Sequence, residues 1–174
     1  MMRRGFTLVE LIVVIAIIAI LAAVIAPNAF KAIEKAKVSA VMGNWRTVKT
    51  ATIGYYTDIQ AWPATCTAVP CNAGLVNNDG ARGWDGPYVE KWPSKSPWGA
   101  GVVYYRNDAN VNWDNSGVGD SARYFEIQIV PQASAQKIDD NIDGAVAGGS
   151  GAVRYSAAAT TSVYILIQTD VALN

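Results

Sequence analysis

Residues 11–26 form an unbroken apolar run, and Glu10 stands at its head. At about 1.5 Å per helical residue, residues 6–26 span roughly 30 Å, the thickness of a bilayer's hydrocarbon core. A carboxylate in such company is expensive, about +2.5 to +3.5 kcal/mol at the centre of a spanning helix. It is kept where it has a partner. Arg3 and Arg4 precede Gly5 and Phe6, and positive charge there holds this end on the cytoplasmic side of a membrane. An ordinary secretory signal has about 7–15 apolar residues and a small-residue cleavage site. The run here exceeds that. Ala22, Ala23 and Ala26 leave such a cut open, whereas Glu10 and the arginines directly before Gly5 argue against it. A plain membrane anchor or a buried core helix would also produce an apolar run of this length.

After Pro27 the composition changes but the helical periodicity does not. Val38, Val41, Trp45, Val48, Thr52, Tyr55 and Ile59 recur at steps of three and four, which places them on one helix face. Lys31, Lys35, Lys37, Arg46, Lys49 and Asp58 lie off that stripe. The pattern predicts one helix over residues 6–59, kinked near Pro27, where a backbone donor is lost. Its second half is expected to pack on a sheet rather than in a coiled coil, because there is a single polar-flanked seam.

Trp62 and Pro63 end the helix. A stretch dense in Gly, Pro, Asn and Asp then runs to about residue 97, as in Asn77-Asn78-Asp79-Gly80. Strand signals occupy residues 102–105, 124–130, 152–156 and 163–168. In the second, Phe125, Ile127 and Ile129 alternate with Glu126 and Gln128, as in a sheet with one wet face. Pro131 opens a short helix to about Ile142, with Ala135, Ile138 and Ile142 on one side. Gly144 stops it, and a glycine-rich turn follows. No repeats are visible.

The chain of 174 residues allows one modest globular domain beside the N-terminal segment. Basic and acidic residues balance at 14 each, so no global field favours nucleic acid. Removing residues 1–5 takes Arg3 and Arg4 with it and leaves an excess of two acidic residues. There is no histidine, which removes the commonest general base and metal ligand. Serine, threonine and aspartate are plentiful, but no motif sets a base beside a nucleophile. The expectation is a protein that is not an enzyme. Six tryptophans and eight tyrosines supply aromatic mass for a core. Two cysteines, Cys66 and Cys71, flank a short segment in which Pro70 favours a turn. In an oxidising compartment they close a loop if their Cα atoms lie within about 7 Å, and the exported character of the chain makes this disulfide the expectation over two free thiols.

As it stands, Gly5-Phe6-Thr7-Leu8-Val9-Glu10 resembles the cleavage and methylation signal of the type IV pilins and of the pseudopilins of type II secretion. The resemblance implies cutting after Gly5 by a prepilin peptidase, methylation of the new Phe6 amine, and pairing of Glu10 with that amine on a neighbouring subunit. A paired buried charge offsets its desolvation and fixes register. Pro27 matches a family position where the helix kinks or loosens on assembly, while Ala19 stands where the family often carries glycine. A second segment, Gly86-Pro87-Tyr88-Val89-Glu90-Lys91-Trp92-Pro93 with Ser96-Pro97-Trp98-Gly99, is similar to the region before the sheet in the major pseudopilin. The family usually has an acidic residue where Ser96 stands. From the residues themselves this is a rigid aromatic loop capping the sheet, with no catalytic role.

Asp108, Asn110, Asn112 and Asp114 alternate, with Asp120 further on, and oxygen ligands at alternate loop positions suit calcium. Trp113 occupies the EF-hand glycine position and the distal glutamate is missing, so a polar surface hairpin explains the same residues. Resemblance to the major pseudopilins, which bind calcium in sheet-side loops, strengthens the case for the ion, with the polar hairpin still the preferred reading. Asp139, Asp140 and Asp143 read as a solvated helix end.

The expected fold is α+β and pilin-like: a long N-terminal helix, transmembrane in its first half, packed on a C-terminal antiparallel sheet. Residues 1–5 are the leader, 6–27 the membrane and polymerisation helix, and 28–174 the globular domain. Within that domain the helix's second half covers 28–59, the loops 60–100 and the sheet 101–174. The resemblance implies a structural subunit stored in the bacterial inner membrane and polymerised into a helical filament. Its partners would be copies of itself, minor pilins or pseudopilins, prepilin peptidase and an inner-membrane assembly platform. The first reading is a pseudopilin of type II secretion in a periplasmic pseudopilus; an extracellular type IV pilus and a single-pass anchored binding domain that never polymerises are the alternatives.

Overall fold

The computed structural model describes residues 6–66, 68, 71, 73–113, 119–144 and 148–169. The expectations for Arg3, Arg4, Gly5, Pro70 and Asp114 lie outside the described residues. The chain divides into two compact units, residues 1–36 and 37–174.

Helix α1 is Leu8–Ile59, beginning two residues later than the periodicity suggests and running without interruption through Pro27. Proline removes the N–H that would have bonded the Ala23 carbonyl one turn earlier. In the first unit the helix surface is apolar and exposed: Leu11, Ile15, Ile18, Leu21 and Ile25 are each more than half accessible. A membrane-length window of it has none of its residues buried. Such a surface is stable only where lipid or other apolar helices replace water.

In the second unit α1 presents one face to the core. Val38, Val41, Val48, Thr52 and Tyr55 are buried as the periodicity requires, and Trp45 and Ile59 pack at the margin. Met42 and Ala51 are buried as well, because a helix against a sheet needs a stripe wider than one seam. Thr52 satisfies its hydroxyl within the helix, donating to the Val48 carbonyl at 2.7 Å.

Four strands follow: β1 Val103–Val111, β2 Asp120–Pro131, β3 Val153–Arg154 and β4 Thr160–Thr169. They form one antiparallel sheet in the order β1-β2-β4-β3. The register sets Val103 opposite Ile127 and Tyr105 opposite Phe125, and β4 continues both rows with Val163 and Ile165. These six side chains are 0–1% exposed and share a core with the buried stripe of α1. At the margin the Trp45 indole donates to the Leu166 carbonyl at 3.2 Å. Helix α2, Gln132–Ile142, starts straight after β2 with Pro131 in extended geometry, and it buries Ala135 and Ile138 completely.

The strand boundaries differ from the sequence reading. β1 runs six residues beyond Tyr105, through a polar segment whose side chains find cross-strand partners: Arg106 with Glu126, Asn107 with Arg123 and Asp108 with Tyr124. β4 begins three residues earlier than Val163, and β3 is only two residues long. β2 is buried on both faces through its middle, so its alternation does not mark a wet face. Arg106 and Glu126 pair at 2.8 Å on the side away from α1. The Arg106 guanidinium loses some affinity for its proton by burial but more than recovers it through the Glu126 hydrogen bond and charge, so its pKa lies above the ordinary value.

The loops between α1 and β1 are fixed by aromatic side chains with polar tips. Trp92, 3% exposed, donates to the Val103 carbonyl at 3.0 Å, and Trp84 to the Gly74 carbonyl at 2.7 Å. Tyr55 and Tyr88 donate to Asp79 and Asp58 at 2.7 and 2.8 Å, tying the loop to the end of α1. Burial, and then the Asp79 acceptor and its charge, push the Tyr55 hydroxyl up to about 12. Gly74 makes this approach possible: at φ 75° it is in left-handed backbone, and a Cβ there would stand 2.6 Å from the Tyr55 ring. The aromatic segment is therefore a structural clasp, in agreement with the sequence reading.

Candidate functional site

The N-terminal end of α1 carries the chemistry that sets this chain apart. Thr7 precedes the first helical residue, and Glu10 is the third residue of the helix. The Thr7 backbone N–H donates to Glu10 Oε2 at 2.8 Å, and the Thr7 hydroxyl donates to the same oxygen at 2.7 Å. In return the Glu10 N–H donates to Thr7 Oγ1 at 3.3 Å. This reciprocal arrangement is a capping box, and it satisfies donors that the first helical turn leaves open. Glu10 therefore has a partner within its own chain. The sequence reading missed Thr7, although Thr7-Leu8-Val9-Glu10 carries the capping-box spacing openly.

The carboxylate and Phe6 lie at the same end of the helix, and Phe6 is exposed. Two donors on one oxygen lower the cost of placing Glu10 in apolar surroundings, and they leave the charge at the tip of the helix, where a cation can approach it. Pro27, the other residue singled out for assembly, lies within α1. It removes a helix hydrogen bond and brings no chemistry of its own.

Cys66 and Cys71 form a disulfide with Cα atoms 5.3 Å apart. Both are in the hydrophobic core, 4% and 1% exposed, and the Cys66 N–H donates to the Tyr105 carbonyl at 2.9 Å. The bridge is thus fastened to β1. An oxidising compartment is where such a bond persists.

Three of the four residues expected to hold calcium lie in or beside β1, and Asp114 is outside the described residues. Asp108 and Asn110 belong to β1, Asn112 lies just beyond it, and a bulge intervenes between Asp108 and Val111 with Asn110 at φ 62°. The Asp108 carboxylate accepts from the Tyr124 hydroxyl at 2.6 Å and from the Thr65 hydroxyl at 3.0 Å. Burial, and then the Asp108 acceptor, hold the Tyr124 hydroxyl well above its ordinary pKa. Asp120 accepts from the Trp113 N–H at 3.3 Å. No group of three or more acidic, histidine or cysteine side chains able to hold a metal ion occurs among the described residues.

Comparison with known proteins agrees with the geometry of the first helical turn. No match was found among curated proteins or among solved structures. The family model described as the prokaryotic N-terminal methylation motif matches residues 1–26, which include Gly5, Phe6, Thr7 and Glu10. A pilin-type motif of this kind implies processing by a prepilin peptidase and assembly with other pilins. A second model, described as PilW, C-terminal, matches residues 32–118, half of the chain, so the protein belongs to that family within the type IV pilin-like superfamily.

Proposed function

We propose that the chain is a structural subunit of a type IV-pilus-like filament, with no catalytic role. It is stored through the apolar half of α1 in the bacterial inner membrane, cut between Gly5 and Phe6, methylated at the Phe6 amine and packed with copies of itself or related subunits. The observation that carries this reading is the exposed apolar helix headed by Thr7 and Glu10. Its surface asks for lipid before assembly and for other such helices after it. On assembly, Glu10 exchanges its Thr7 donors for the amine of a neighbouring Phe6, so that opposite charges meet in a dry interior. Pro27 gives the helix a point at which to adjust.

Two machines fit. The segment containing Trp92, Pro93, Trp98 and Gly99 supports a pseudopilus of type II secretion, which would remain periplasmic. The PilW C-terminal match spans that same segment and supports a subunit of an extracellular pilus. Calcium held by Asp108, Asn110, Asn112 and Asp114 is a secondary part of the proposal, in which the ion would share the Asp108 carboxylate with the Tyr124 and Thr65 hydroxyls.

Intact mass spectrometry of protein from cells with an active prepilin peptidase tests the processing. The expected product begins at Phe6 and carries one methyl group. A chain that still begins at Met1, or one cut after Ala22, Ala23 or Ala26, would overturn the reading. Imaging of sheared and periplasmic fractions then separates pilus from pseudopilus, and filaments in neither fraction would favour the anchored binding domain.

A further inference from the structure

Asp139 departs from the expectation for the acidic end of α2. Its sequence neighbours Asp140 and Asp143 suggest a solvated helix end, yet Asp139 is 2% exposed, and its Oδ1 is buried without a hydrogen-bond partner. Asp140 is exposed and Asp143 half-buried. Asp139 and Asp143 are four residues apart at the end of one helix, so their carboxyl groups are neighbours. Asp143 is engaged on two sides: its N–H closes the helix on the Asp139 carbonyl at 2.8 Å, and its Oδ2 accepts from the Val153 N–H of β3 at 2.9 Å. The other neighbour of Asp139 is the Tyr155 hydroxyl, just past β3. Tyr155 is held there by backbone, its N–H donating to the Gly148 carbonyl at 2.9 Å. Its ring lies so close over Gly148 that a Cβ would stand 2.4 Å away.

Of the remaining charged groups, Lys137 on α2 is exposed, and those on the strands are engaged elsewhere. On β3, Arg154 donates to the carbonyls of Gly149 and Trp113. On β2, Asp120 is bonded to Trp113, Arg123 to Asn107 and Glu126 to Arg106. On β4, Tyr164 packs edge-on against Tyr124. The groups that face Asp139 are thus Tyr155, Asp143 and Asp140.

We propose that Asp139 is a proton-operated latch that fastens the end of α2 to β3 and the turn containing Gly148 and Tyr155. Protonated, it lies against Asp143 as a neutral group, and the Asp143 bond to Val153 is undisturbed. Ionised, it sets a second buried negative charge beside Asp143 and loosens that bond. Burial raises the carboxyl from its ordinary value of 3.8 to about 6; the Tyr155 hydroxyl opposes this, and the charges of Asp143 and Asp140 reinforce it. The folded state therefore binds this proton more tightly than the unfolded chain. The stabilisation is complete below the ordinary carboxylate value and is lost as pH rises through about 6.

The test uses the full chain in detergent and compares wild type with Asp139→Asn, which has the shape of the neutral acid. Between about pH 7.5 and about pH 5 the difference in Tm between the two is expected to change by about 3–5 °C, wild type gaining on acidification. The exchange protection of the Val153 amide should fall on ionisation in wild type and remain constant in the variant. Identical pH dependence of Tm in both proteins would overturn the latch. Should the variant not fold, the Asp139 carboxyl resonance of wild type decides, since a titration midpoint near about 4, as in an unperturbed aspartate, would also overturn it.

Discussion

Removing the bridge between Cys66 and Cys71 should cost a predictable amount, because the loop is short and its ends are buried. The cysteines are separated by 5 positions, and closure of so small a loop restricts the unfolded chain by about 2 kcal/mol on the chain-entropy account. Doubling a loop's length adds only about 0.6 kcal/mol, so the smallness of this loop lowers its effect without abolishing it. A second contribution comes from packing. Both sulfurs lie in the core, and replacing them by alanine leaves small voids, adding about 1 kcal/mol for the lost contacts. Reduction of the wild type should therefore cost about 2 kcal/mol and Cys66→Ala with Cys71→Ala about 3 kcal/mol. At about 2–4 °C per kcal/mol for a chain of this size, the corresponding falls in Tm are about 4–8 °C and about 6–12 °C. The assay is thermal unfolding of the full chain in detergent, followed in the near-ultraviolet with and without reductant, with free thiols titrated beforehand. Because the Cys66 N–H holds the Tyr105 carbonyl, early loosening should register in exchange of that amide. Oxidised and reduced protein melting at the same temperature would refute the reasoning, as would two reactive thiols in protein never exposed to reductant.

Glu10→Ala should abolish or strongly reduce filament yield while leaving residues 37–174 folded by circular dichroism; normal yield would remove the proposed pairing with Phe6. Thr7→Val deletes the hydroxyl cap at a cost of about 1 kcal/mol to the first turn and should affect assembly less, which filament counts from the two variants compare directly. Calcium held through Asp108 and its companions should stabilise the folded state by about 2.7 kcal/mol at a hundredfold excess over Kd, and so raise Tm. The rise should vanish in Asp108→Ala with Asp114→Ala, and a Tm equal in calcium and chelator would remove the site.

What the sequence made legible, and what it hid, follow from how locally each feature is determined. The stripe on α1 and the start of α2 at Pro131 rest on periodicity and one fixed φ, and both lie where those signals place them. The outer half of β1 was invisible because Arg106, Asn107 and Asp108 are poor strand formers by propensity. What holds them in a strand is Glu126, Arg123 and Tyr124, brought opposite by a register that no local window contains. The same pairing recasts the alternating oxygens: Asp108 and Asn110 belong to a strand rather than a loop, and Asp108 bonds the Tyr124 and Thr65 hydroxyls, which no local window contains. Asp139 escaped for a similar reason. Its neighbours in sequence are acidic and polar, and only the return of β3 and Tyr155 over α2 buries it. The capping box shows the opposite failure. Thr7 and Glu10 are the cap and the third residue of one helical turn, fully readable, yet the cost of a lone carboxylate among apolar residues points to a distant partner before the near one. The near partner changes the argument about assembly. A glutamate with no donor in the stored subunit would drive association by relief of an unpaired charge, whereas Glu10 already accepts two hydrogen bonds from Thr7. In the proposed filament, assembly would exchange those bonds for a charged one, and the gain per subunit would be a difference rather than a full desolvation penalty. In that filament the apolar surface of α1, more than half exposed at Leu11, Ile15, Ile18, Leu21 and Ile25, would exchange lipid for close packing against neighbouring helices, with Glu10 setting the register at which those surfaces meet.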